Sequence, residues 1–147
     1  MRKIISVILL SCIFLCGCES ETYYWEFERP VTEVQNISIV VLDGDIYTVY
    51  DVLNAPAVMY LEASQYEEFY NEIQTIEIRL LPRVELDLPK GYCFLIDYGN
   101  NDYCILSLNG SGYILYDEND NFVNFKYMKL SFYSEYFYSL LRKYLVS

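Results

Sequence analysis

Three turn-forming clusters at near-regular spacing constrain this chain more than any other feature. They are Gly99-Asn100-Asn101-Asp102, Asn109-Gly110-Ser111-Gly112 and Glu118-Asn119-Asp120-Asn121. Glycine and asparagine tolerate the positive-φ backbone of tight hairpins, and Asn and Asp side chains bond the turn's own amides. The stretches between them are short and rich in aromatic and β-branched residues. The pattern predicts a four-strand meander with strands at 91–98, 103–108, 113–117 and 122–127. Pairing Tyr98 with Tyr103, Leu108 with Tyr113 and Asp117 with Phe122 tests its consistency. One face then gathers Phe94, Ile96, Tyr98, Tyr103, Ile105, Ile114, Tyr116, Val123, Phe125 and Tyr127, with Ser107 its only polar member. The other face carries Leu95, Asp97, Leu106, Tyr113, Asn124, Lys126 and two cysteines, and is expected to be mixed and partly exposed.

The remaining elements are placed by periodicity. Val34 to Leu42 alternates as a strand, Asp43-Gly44 is a hairpin turn signal, and Ile46 to Leu53 reads as the return strand before Asn54-Ala55-Pro56 breaks it. Ser64 and Glu67 fit a capping box, and Tyr66, Phe69, Tyr70 and Ile73 recur at helical spacing, so a helix is expected over 65–75. A short strand, Ile76 to Leu80, follows, and Pro82 and Pro89 bracket a connection. Ser131 is expected to open a last helix whose stripe is Tyr133, Tyr136, Phe137, Leu140, Leu141, Tyr144 and Leu145. The expected fold is α+β. An antiparallel sheet, made of an N-terminal hairpin plus the meander, carries two helices packed on one face.

The N-terminus carries an address. Arg2-Lys3 precede an apolar run, Ile4 to Leu15, which has the length of a secretory h-region and is short for a membrane span. The run ends in Leu15-Cys16-Gly17-Cys18, and the polar Glu19-Ser20-Glu21-Thr22 follows. This stretch resembles the bacterial lipobox, with Leu15 at −3, Gly17 at −1 and Cys18 at +1. The resemblance implies a signal peptide at 1–17, recognised through Leu15 and Gly17 and cleaved before Cys18. It also implies a diacylglyceryl group on the Cys18 sulfur, a two-chain anchor that holds stably. Residues 18–30 would be a membrane-proximal lead-in, and 31–147 a single domain. No long Gly/Ser linker separates the two, so the domain is expected to sit close to the membrane. With its tyrosine- and acid-rich, lysine-poor body, the chain resembles the small lipoproteins of low-GC Gram-positive bacteria. That likeness is compositional and implies no activity.

Charge and composition narrow the chemistry. Without Arg2 and Lys3 the mature chain has 8 basic and 21 acidic residues, a net charge of −13. Phosphate backbones would be repelled, so no nucleic-acid partner is expected, whereas a basic protein would be attracted. There is no histidine, which excludes Ser–His–Asp and Cys–His catalysis and His-containing metal sites within the chain. No cofactor motif is present. Asp117 to Asn121 offers alternating oxygens like the start of a calcium loop, but Phe122 and Met128 stand where the loop needs Gly and Glu, so no metal is expected. Glu19, Glu21, Glu26, Glu28 and Glu33 have no fixed separation that would mark an acid–base pair.

Two sets of residues remain as candidates. Cys93 and Cys104 share a face in the register above but lie four positions apart along it, about 13 Å. A disulfide needs Cα atoms within about 7 Å, so two free, packed thiols are expected. Tyr23, Tyr24, Trp25 and Phe27 could form an aromatic binding patch, although the alternation of Tyr23, Trp25 and Phe27 reads as well as an edge strand packed on the core. The functional expectation is a lipid-anchored, extracytoplasmic, non-enzymatic binding or accessory module. The alternative is an immunity or inhibitor protein that neutralises a basic toxin or enzyme.

Overall fold

The computed structural model describes residues 22–42, 53–80, 91–108, 111–116, 122–128 and 130–146. In chain order the elements are β1 (Tyr23–Tyr24), β2 (Asn36–Leu42), β3 (Ala57–Tyr60), α1 (Tyr66–Thr75), β4 (Glu77–Leu80), β5 (Gly91–Gly99), β6 (Asp102–Leu106), β7 (Ser111–Tyr116), β8 (Phe122–Met128), β9 (Leu130–Phe132) and α2 (Ser134–Val146). The fold is α+β. Strands β3-β2-β5-β6-β7-β8 form one antiparallel sheet, and β1-β4-β9 form a smaller one.

The meander is present as β5 to β8, with changes of register in each of its three pairings. At its first turn Gly99 faces Asp102, consistent with the expected frame, and Asn100 and Asn101 stand at φ 51° and 61°. Two consecutive left-handed residues are what a two-residue type I′ loop needs, and asparagine tolerates them. A bulge between Asp97 and Gly99 then shifts the pairing by one, so that Asp97 faces Tyr103 and Ile96 faces Cys104. A one-residue shift exchanges the faces of a strand. Cys104 and Leu106 therefore join Phe94, Ile96 and Tyr98 in the main core, while Ile105 turns to the other side with Cys93 and Leu95. The β6–β7 register also departs from expectation, with Cys104 facing Tyr113. The β7–β8 pairing keeps the expected frame from Ser111 to Leu115, and a bulge then sets Tyr116 against Phe122.

Helices α1 and α2 lie on the main core. Phe69, Tyr70 and Ile73 from α1 and Phe137, Leu140, Leu141 and Tyr144 from α2 are buried there with Ile37, Ile39, Phe94 and Ile96. The opposite face is drier than expected. Val40, Leu42, Cys93, Leu95 and Ile105 form a second buried cluster, so the central strands β2 and β5 are covered on both sides. The unbroken Cys93-Phe94-Leu95-Ile96 run is the sequence form of such a strand. The α1 cap also differs from expectation. A tight turn at Ala63–Gln65 precedes the helix, and the Gln65 Oε1 accepts from the Glu62 N–H at 2.9 Å, so Glu62 and Gln65 take the roles read onto Ser64 and Glu67.

Two strands were not anticipated. Ala57–Tyr60 pairs with β2, and Leu130–Phe132 precedes α2 and pairs with β4. The expected return strand at Ile46–Leu53, apart from Leu53, lies outside the described residues. So do the Asp43-Gly44 turn, the Pro82–Pro89 connection, Asn109-Gly110 and the Asp117–Asn121 segment.

Candidate functional site

The lead-in folds into the domain, so the boundary drawn at residue 30 does not follow the packing. Tyr23 pairs with Ile78 and Tyr24 with Glu77. Trp25 is 1% exposed, stacked over Tyr113 at 6.3 Å and tilted on Phe132 at 6.1 Å. Phe27 stacks on Tyr70 at 3.8 Å. The Glu28 N–H donates to the Tyr113 hydroxyl at 2.6 Å. Arg29 then bonds Asp102 at the first meander turn, with Nη2 at 2.7 Å and Nε at 3.0 Å.

Under this segment lies a group of buried hydroxyls and a thiol. Tyr70 of α1 and Tyr98 of β5 share a hydrogen bond of 2.7 Å. Tyr113 and Cys104 are register partners on neighbouring strands. Burial raises the pKa of all three phenols. Burial also lifts Cys104 well above the ordinary thiol range, although a hydrogen bond with Tyr113 opposes it. Cys93, on the other face, is pushed up to about 12 by burial alone. A thiol attacks as its thiolate, so these two are inert near neutral pH. The cluster holds its protons, and its chemistry is that of a satisfied polar core.

The aromatic set named from the sequence is therefore divided. Trp25 belongs to the core, Tyr23 and Phe27 are half-buried, and Tyr24 is 52% exposed. The four do not make a continuous patch, because an extended segment sends alternate side chains inward. Glu26, Glu28 and Glu33 are exposed. Leu15, Gly17 and Cys18 lie outside the described residues, as do Glu19 and Glu21. Both Cys93 and Cys104 are free and buried, on opposite faces of the sheet instead of the shared face expected.

A surface that sequence reasoning missed lies on β3. Val58 and Tyr60 are 55% and 64% exposed there, and among the described residues β3 is an edge of the six-stranded sheet. The signal available was the five-residue apolar run Ala57 to Leu61 after Pro56, which periodicity alone does not separate from a buried helix segment. Among the described residues no group of three or more acidic or cysteine side chains is placed to hold a metal ion, and no helix is long and apolar enough to cross a membrane. Compared with family models, curated proteins and solved structures, the chain matches none.

Proposed function

We propose that the chain is a lipoprotein of the extracytoplasmic membrane face, acting as a non-enzymatic binding or accessory module. The observation that carries this reading is the run from Arg2-Lys3 through the apolar stretch to Leu15-Cys16-Gly17-Cys18. Cys18 would be the covalent anchor and the first mature residue. Among the described residues, the chain is already paired at Tyr23, five positions beyond Cys18. With Trp25 in the core, the working surface is better sought at exposed side chains such as Val58 and Tyr60 than in the lead-in. Mass spectrometry of the mature N-terminus tests the anchor. A diacylglyceryl mass on Cys18, lost in Cys18→Ala with accumulation of the precursor, is expected. An unlipidated wild-type N-terminus sinks the reading.

The net charge of −13 on residues 18–147 favours a second reading, an immunity or inhibitor protein for a basic toxin or enzyme. Its partner would be captured at low salt and released as the screening length shortens from about 10 Å at 0.1 M to about 3 Å at 1 M. A pull-down that recovers no basic protein at low salt removes its motivation.

A further inference from the structure

Resting on the lipoprotein reading, we infer that the tether is short enough to fix the domain's orientation, with the β1 edge of the small sheet turned to the bilayer. Only residues 19–22 separate Cys18 from Tyr23, which is already paired to Ile78. Five Cα steps span at most about 18 Å when fully extended. A domain of this size has a radius of gyration of about 14 Å and is therefore roughly 35 Å across. The tether is about half that width, so the domain cannot turn its far side to the membrane. The side that carries the start of β1 is the side the headgroups meet.

The chemistry of that side suits a zwitterionic headgroup layer. Among the described residues β1 is an edge strand. Tyr24 is half-exposed on it, and tyrosine rings favour the membrane–water interface. The exposed carboxylates Glu26 and Glu77 stand beside Tyr24, where they would meet headgroup ammonium groups and be repelled by an anionic leaflet. Whatever the domain binds must then come within about one domain width of the bilayer, which selects membrane proteins or molecules held at the membrane surface over partners deep in the cell wall.

Trp25 is the only tryptophan and lies two residues beyond Tyr23, so it reports the distance without modification. The full lipidated protein is reconstituted into phosphatidylcholine vesicles that carry headgroup-dansylated lipid, and energy transfer from Trp25 is measured. The comparison is a variant with twenty Gly/Ser residues inserted between Glu21 and Thr22, a spacer with a mean span of about 25 Å. Transfer from the wild type is expected to be at least twofold higher. Equal transfer from the two overturns the inference. A second readout uses Tyr24→Cys and a bulky impermeant maleimide. Cys93 and Cys104 are buried and give little background. Labelling is expected to be several-fold slower in the short-tethered protein than in the spacer variant, and equal rates overturn the orientation. A wild-type chain that neither floats with vesicles nor carries the diacylglyceryl mass overturns the anchor reading and the inference together. A lipidated chain that floats but ignores the spacer overturns the inference alone.

Discussion

At Gly99 the backbone stands at φ +76°, and a Cβ there would run into the Gln35 amide. The Gly99 N–H also donates to Asp97 Oδ1 at 2.7 Å, which braces the bulge from inside. Gly99→Ala is expected to cost about 1–2 kcal/mol from the left-handed backbone alone, with the collision adding to it. Adding Gln35→Ala to Gly99→Ala should recover the collision and leave the backbone cost, which urea midpoints of the single and double variants can separate. The two buried thiols make a second prediction at this scale. Alkylation of the native protein is expected to label neither Cys93 nor Cys104, and alkylation in denaturant without reductant to label both. A denatured, unreduced chain that resists labelling would contradict the free thiols. The existence of the turn was legible in the Gly-Asn-Asn-Asp cluster. The bulge was not, because nothing in the residue types marks Tyr98 as the extra residue, and the faces of β6 depended on it.

Among the elements, the lead-in and the helix pair make opposite contributions. Trp25 is wedged between Phe27, Tyr113 and Phe132. Trp25→Ala is expected to destabilise by about 3–5 kcal/mol through the cavity it leaves. Its buried Nε1 has no hydrogen-bond partner among the described residues, so Trp25→Phe removes a donor unsatisfied there and should cost distinctly less. A chemical-denaturation series of the two variants checks the order. Lys143 of α2 reaches Glu68 at 2.8 Å and Glu72 at 2.7 Å on α1. These groups are largely exposed, and such pairs contribute about 0–1 kcal/mol, so Lys143→Met should barely move the midpoint. The helices, β2 and the meander were legible because each carries its own period over many residues. Strands β3 and β9 were not, and β1 was legible only as one of two readings of the lead-in. They span two to four residues, and what makes them strands is the partner across the ladder. The candidate patch Tyr23, Tyr24, Trp25 and Phe27 was readable as an alternation. Which members faced water depended on β4, Tyr70 and Tyr113, far along the chain.

For the whole molecule, burial sets an alkaline limit. Thiols with an ordinary pKa of 9.0 and phenols with one of 10.0 are held protonated in the folded chain at Cys93, Cys104, Tyr70, Tyr98 and Tyr113. Below about pH 8 both folded and unfolded chains keep these protons, and their contribution to stability is fully present. Above it the unfolded chain releases protons that the folded chain retains, so stability falls as pH rises. Each group contributes a loss of about 1.4 kcal/mol per pH unit until its folded pKa is reached. Urea midpoints for this contribution should be flat from pH 7 to 8, begin to fall near pH 9 and drop steeply by pH 10.5. A midpoint unchanged at pH 10.5 would show that the cluster is not buried as described. The small sheet carries a different consequence, one of timing. Strand β4 holds β1 on one edge and β9 on the other, and Trp25 rests on Phe132. A chain made from its N-terminus onward cannot bury Trp25 until residue 132 has emerged. The lead-in, made early, is thus among the last parts of the described fold to be enclosed, and a premature stop before β9 would leave an aromatic strand edge uncovered for proteases to find.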